Sequence, residues 1–168
     1  MDRNERLEKP CEEQEEAFLR EVQQAKAYCL RLLVSVDRTE SQLRTKMRQK
    51  GYSEQAADEV ISYVKGLHYL DDGRYASYYI AAKSGTKSKR QIIQDLQRRG
   101  VSRETIERQM EEADEIDELP VIRRWMEKKH FDPQQADEKE TWKFCQFLQR
   151  KGFSSSDIRR VLRGFDMD

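Results

Sequence analysis

The 168-residue chain balances 32 lysines and arginines against 32 aspartates and glutamates, with 38% of residues charged and 36% apolar, which leaves too little apolar material for a thick core and predicts an elongated molecule. Three prolines and seven glycines are too few for the turns of an all-β domain, and no apolar run spans a membrane. The acidic, hydrophilic start is no signal peptide, so a cytoplasmic protein is expected, and Cys11, Cys29 and Cys145 with only His68 and His130 supply neither a disulfide framework nor a metal site.

Residues 1–21 form an acidic extension, expected to be partly helical or disordered. Phe18, Val22, Ala25, Cys29, Leu32 and Val36 then recur at three-to-four spacing, which predicts a helix reaching back to about Cys11. Next comes a segment that occurs three times, at Leu43 to Ile61, Ile92 to Met110 and Phe144 to Leu162, with Gly51, Gly100 and Gly152 in register. Apolar residues stand eight and four positions before each glycine and six and ten after it, so each glycine separates two amphipathic helices. Lys50, Arg99 and Lys151 end the first helix of each pair, the glycine takes the left-handed position beyond it, and Tyr52, Val101 or Phe153 folds back onto the helix. Ser53, Ser102 and Ser154 are the N-caps of the second helices. Thr39 with Gln42 and Ser88 with Gln91 read as capping boxes for the first helices, whereas Glu140 occupies that slot in the third segment and the box is missing.

Each pair is preceded by a further helix. In the second repeat it runs from Arg74 to Lys83, with Asp71 and Asp72 as its capping residues; in the third it opens at Pro120 and buries Val121, Ile122, Trp125 and Met126. Tyr75 and Tyr79 read as core residues. The expected architecture is all-α: an elongated array of three tandem three-helix repeats, 22–70, 71–116 and 117–168, with an extended N-terminal helix.

No catalytic constellation is present. Gly85-Thr86-Lys87-Ser88 is only the tail of a phosphate loop, with no earlier glycine and no preceding strand. The protein therefore reads as a binding module, not an enzyme, with no cofactor and no metal. Its charge is unevenly placed: 38–50 holds five basic residues against one acidic, 83–108 eight against three, and 111–118 six acids and no base. The candidates for electrostatic contact with a partner are Arg44, Arg48, Lys87, Lys89, Arg90, Arg98 and Arg99. The helices after the turns are too acidic to enter a DNA major groove, so any nucleic-acid contact is expected to be weak, made to phosphates and without sequence preference.

Tyr69-Leu70-Asp71-Asp72-Gly73-Arg74-Tyr75-Ala76, opening the second repeat, and Leu96-Gln97-Arg98-Arg99-Gly100-Val101-Ser102, ending its second helix, resemble the RecX regulatory proteins of bacteria. The resemblance covers about Ala25 to Phe165. It departs from the family at His68, where a glycine usually precedes the Tyr-Leu-Asp-Asp run, and the third repeat is divergent. The resemblance implies a monomer that binds RecA and its filament on single-stranded DNA and inhibits ATP hydrolysis, strand exchange and coprotease function, thereby modulating recombination, DNA repair and the SOS response. Alternatives from the residues alone are a sequence-nonspecific nucleic-acid-binding protein and a helical adaptor for another protein.

Overall fold

The computed structural model describes residues 5–164, with side chains from Glu13 onward; the side chain of Cys11 and the end of the third repeat from residue 165 lie outside that description. Among the described residues there are nine α-helices and no strand: α1 Glu5–Ser35, α2 Glu40–Lys50, α3 Glu54–Gly66, α4 Asp72–Lys83, α5 Lys89–Arg98, α6 Arg103–Glu112, α7 Leu119–Lys129, α8 Glu138–Arg150 and α9 Ser155–Arg163. They fall into three consecutive groups of three. α1 is a single helix that runs through the expected boundary at residues 21 and 22, because the three-to-four apolar spacing continues across it.

The helices divide between two compact bodies. One comprises the described residues through Tyr75 together with Arg99–Val101; the other comprises Ala76–Arg98 and the described residues from Ser102. In the first body, Val22, Ala25 and Cys29 of α1 meet Leu43 and Met47 of α2, a run from Ala56 to Val64 on α3, and Leu70. Burial leaves the Cys29 thiol at a pKa of about 11, so it behaves as a small apolar side chain. In the second body, Ala76, Ile80, Ile92, Leu96 and Ile106 are buried on α4, α5 and α6. Farther along the same body, Val121, Ile122 and Met126 of α7 pack with Phe144 and Leu148 of α8 and with Phe153, Ile158 and Val161. Each large apolar side chain removed from water in this way contributes roughly 1.5–3 kcal/mol.

The three turns share one geometry. Gly51, Gly100 and Gly152 lie at φ of +95°, +82° and +89°, and the amides of Tyr52 and Phe153 donate back to the carbonyls of Met47 and Leu148 at 3.2 Å, closing the helix end. The hydroxyls of Ser53, Ser102 and Ser154 accept from the amides three residues on, at 3.2, 3.1 and 3.0 Å. Ser53 also bonds Glu21 of α1, donating through its hydroxyl at 2.9 Å.

Two local readings change. Asp137 with Glu140 forms a full capping box at the start of α8, the Asp137 carboxylate accepting from the Glu140 amide at 2.7 Å. The box lies three residues upstream of the position aligned with Thr39 and Ser88, since α8 has 13 residues where α2 has 11 and ends two residues before its glycine where α2 ends one. At the start of α4, Asp71 caps that helix, accepting from the Arg74 amide at 3.0 Å, but Asp72 accepts from the Glu40 amide of α2 at 2.9 Å.

His68, where the sequence departs from glycine, has φ of +57°. A side chain there costs about 1 kcal/mol relative to glycine. His68→Gly is therefore expected to raise the thermal midpoint by a few degrees, a gain of about 0.5–1 kcal/mol; an unchanged or lower midpoint in a circular dichroism melt would refute the strain at this position.

Candidate functional site

The Thr39 side chain is fully buried, although threonine is polar. It caps α2, accepting from the Gln42 amide at 3.3 Å, and donates its own proton to the Arg99 carbonyl at 2.5 Å, 60 residues away. Ser88, also fully buried, repeats the arrangement: it accepts from the Gln91 amide at 3.2 Å and donates to the Lys151 carbonyl at 2.6 Å. A second bond accompanies each. Asp72 accepts from the amide of Glu40, and Glu118 accepts from the amide of Lys89 at 2.7 Å. Each joint therefore docks the start of a middle helix onto the basic residue-glycine turn of the following repeat, and a carboxylate at the start of that repeat's first helix clasps the same helix end. Because the two carboxylate bonds fall on amides at helix N-termini, they satisfy groups that lack intrahelical partners.

The joint carboxylates are electrostatically costly. Burial holds the Asp72 carboxyl above the usual range, against the bond it accepts from Glu40, and burial likewise raises that of Glu118. Glu40 behaves oppositely. Burial pushes its carboxyl up, but hydrogen bonds from Lys65 and Arg44 outweigh that and leave it lowered; Lys65 Nζ lies at 2.5 Å and Arg44 Nε at 2.8 Å.

These placements sort the seven basic candidates into two kinds. Arg44 is committed internally: it pairs with Glu40 and reaches Asp58 of α3 at 2.6 Å, and these bonds raise its pKa further. Arg48, on the same helix, is 69% exposed with Glu54 no nearer than 3.9 Å. Arg99 donates to the Tyr75 hydroxyl at 2.9 Å while its carbonyl receives Thr39. In the second body, Lys87 and Arg98 converge on Asp95, Lys87 Nζ at 2.5 Å, and Tyr79 donates to the same carboxylate at 2.9 Å. Lys89 and Arg90 are exposed at the start of α5 and enter no ion pair among the described residues. Tyr75 and Tyr79 are half-buried, not core, because their hydroxyls serve Arg99 and Asp95. Leu70 and Ala76 of the same motif are buried.

Asp95 carries a testable pH dependence. Burial opposes its ionisation, but hydrogen bonds from Lys87 and Tyr79 outweigh burial and lower its pKa. A lowered carboxylate stabilises the fold above its unfolded value and loses that contribution as pH falls through the folded one. Asp95→Asn is expected to lower the urea midpoint at neutral pH, with the gap from the parent protein closing below about pH 4; a gap independent of pH would show that the ion pairs contribute nothing.

A basic and aromatic cluster on α7 and α8 had no counterpart in the sequence reading. Trp125, expected in the core, is half-buried and meets Phe147 edge to face at 5.2 Å, with Lys128, Lys129 and Lys151 over the two rings. The signal was available: Trp125 and Lys128 are three apart and Phe147 and Lys151 four apart, spacings that face each other on a helix. No group of histidines, cysteines or carboxylates among the described residues is arranged to hold a metal ion, and no helix there is long and apolar enough to cross a membrane.

Comparison with known proteins matches the three groups of helices one by one. Residues 25–63 match the family described as RecX, first three-helix domain; residues 71–109 match its second and residues 116–162 its third. A protein named Regulatory protein RecX from Trichlorobacter lovleyi is 36% identical over 137 residues, which span 79% of this chain and 89% of that one. One of the same name from Caldanaerobacter subterraneus subsp. tengcongensis is 34% identical, over 84% of this chain and 71% of the relative. The fold is similar to the crystal structure of RecX from Lactobacillus salivarius, with a TM-score of 0.74 at 20% identity over 89% of this chain and 99% of that one. A crystal structure of regulatory protein RecX gives 0.76 at 23% identity, over 86% and 73%. With all three domains matched in order, and relatives above 30% identity aligned along most of their length, the chain belongs to the RecX family.

Proposed function

We propose that this protein is a regulator that binds RecA and its filament on single-stranded DNA and inhibits RecA's ATP hydrolysis, strand exchange and coprotease activities, acting by binding and not by catalysis. The observation that carries the reading is the ordered match of three RecX domains to the chain, together with relatives named as regulatory proteins. The exposed cations fit a binding role. Arg48, Lys89, Arg90 and Arg98 present charge outward, Arg98 while also pairing with Asp95, whereas Arg44, Lys87 and Arg99 hold the fold. The electrostatic part of partner binding is therefore assigned to the first four.

The test is RecA's ATP hydrolysis on single-stranded DNA, titrated with this protein from well below to above the RecA concentration. Inhibition below equimolar amounts supports the proposal; no effect at equimolar protein overturns it and favours a different partner. Within that assay, reversing both Lys89 and Arg90 to glutamate is expected to raise the inhibitory concentration about tenfold while leaving helicity intact. Lys87→Glu should lower the unfolding midpoint instead, by removing a partner of Asp95. Unchanged inhibition by the Lys89 and Arg90 variant would remove those residues from the binding face.

A further inference from the structure

The third repeat displays cations that its own carboxylates do not neutralise. Lys128 Nζ lies 5.1 Å from the Trp125 ring centroid and Lys129 Nζ 5.1 Å from that of Phe147; Lys151 stands between them, 5.2 Å from Trp125 and 5.8 Å from Phe147. None of the three is in an ion pair among the described residues. A cation held against an aromatic face keeps its charge while its position is restricted. Beside this cluster is a cleft of about 650 Å³ walled by Phe131, Phe144 and Phe147 and rimmed by Lys129 and Lys143. Phe131 stacks on Phe144, centroids 4.1 Å apart and planes 10° from parallel, so the apolar wall is built into the fold. The cleft also contains Asp132 and Glu140. Both are engaged by backbone: Asp132 accepts from the Gln134 amide at 3.0 Å and Glu140 from the Asp137 amide at 3.2 Å.

A cleft with aromatic walls and a polar rim, next to lysines without carboxylate partners, selects a ligand with both characters. Phosphates and carboxylates both meet the ammonium groups where they stand, but nucleobases would have to displace those groups before stacking on Trp125 or Phe147, which favours a polypeptide. We infer that this face of the third repeat binds a short acidic polypeptide segment carrying one large apolar side chain. The apolar side chain lies in the cleft against the packed rings of Phe131, Phe144 and Phe147, and the flanking carboxylates lie on Lys128, Lys129 and Lys151. Affinity comes mainly from the buried anchor, and the lysines set charge selectivity and a dependence on salt. The site rests on residues other than those assigned to RecA binding, and it is tested without RecA.

The probe is a fluorescein-labelled synthetic peptide of aspartates and glutamates around one central phenylalanine, read by fluorescence anisotropy with the full-length protein. Replacing the phenylalanine by serine is expected to weaken binding about tenfold, and Lys128→Gln with Lys129→Gln by about tenfold again. Arg103→Gln with Arg108→Gln, on α6, serves as a charge-matched control with no expected effect, and circular dichroism checks that all variants remain folded. Equal binding of the two peptides, insensitivity to the lysine pair, or tighter binding of labelled oligothymidylate through the same lysines would each overturn the inference, the last assigning the face to single-stranded nucleic acid.

Discussion

Gly100→Ala is expected to destabilise the protein by about 3–4 kcal/mol, against about 1–2 kcal/mol for the equivalent Gly51→Ala. Both glycines have the same left-handed backbone, so the conformational cost of a methyl group is common to both. Their surroundings differ. A β-carbon at Gly51 meets nothing within 4 Å, whereas one at Gly100 lands on the side chain of Ser41, next to the buried Thr39 cap. That overlap forces the first joint apart, because α2's start is fixed by the bonds to Arg99 and Asp72. Gly152→Ala falls between the two: its β-carbon would stand 2.7 Å from Ser88 Oγ and 3.0 Å from Arg90 Cβ, and Arg90 is exposed enough to move. Chemical denaturation of the three variants measures the order, and Ser41→Gly added to Gly100→Ala should recover part of the loss. Equal costs at Gly51 and Gly100 would mean that the turn geometry alone accounts for the glycine and the joint adds nothing.

Thr39→Val should cost about 2–4 kcal/mol, and Ser88→Ala a similar amount, whereas Asp137→Ala should cost only about 1 kcal/mol. All three residues cap the middle helix of their repeat. Only Thr39 and Ser88 use the same hydroxyl a second time, as donor to a carbonyl in the next repeat. Removing that hydroxyl leaves both the helix amide and the receiving carbonyl without a partner at a site closed to water, and an unmet buried polar group costs more than a lost bond in solvent. Asp137 is exposed, so water replaces its cap. Valine keeps the shape of threonine, which separates the hydrogen bonds from packing. A Thr39→Val cost no larger than that of Asp137→Ala would show that the bond to Arg99 contributes no net stability.

The repeats, the glycine turns and the serine caps could be read from sequence because each depends on residues within about one helical turn of one another. The joints could not. Thr39 and Arg99 are 60 positions apart and Ser88 and Lys151 are 63, and the receiving atom is a backbone carbonyl, which leaves no mark on residue identity. Asp72 was assigned to the wrong helix for the same reason: adjacent aspartates before a helix resemble a cap, and only the fold brings Glu40 to the second one. Segment charge identified where basic residues gather but not which are already paired, so Arg44 and Lys87 were grouped with Arg48 and Lys89 although Asp58 and Asp95 neutralise them. Trp125 was placed in the core because its neighbours Ile122 and Met126 are buried there; the indole itself is at the edge, under Lys128 and Lys151.

Both joints depend mainly on main-chain carbonyls and amides, with a hydroxyl and a carboxylate as the side-chain groups they share; between the second and third repeats the Arg124 guanidinium also donates to the Gly85 carbonyl at 2.7 Å. Attachment between neighbouring repeats is thus largely decoupled from the identity of the surface residues around it. The outward faces are free to drift toward new partners without loosening the chain of repeats, and the two joints should be interchangeable: a shortened protein in which the first repeat is followed directly by the third would present Thr39 with Lys151's carbonyl and Glu40 with Glu118, the same set of bonds in a new order.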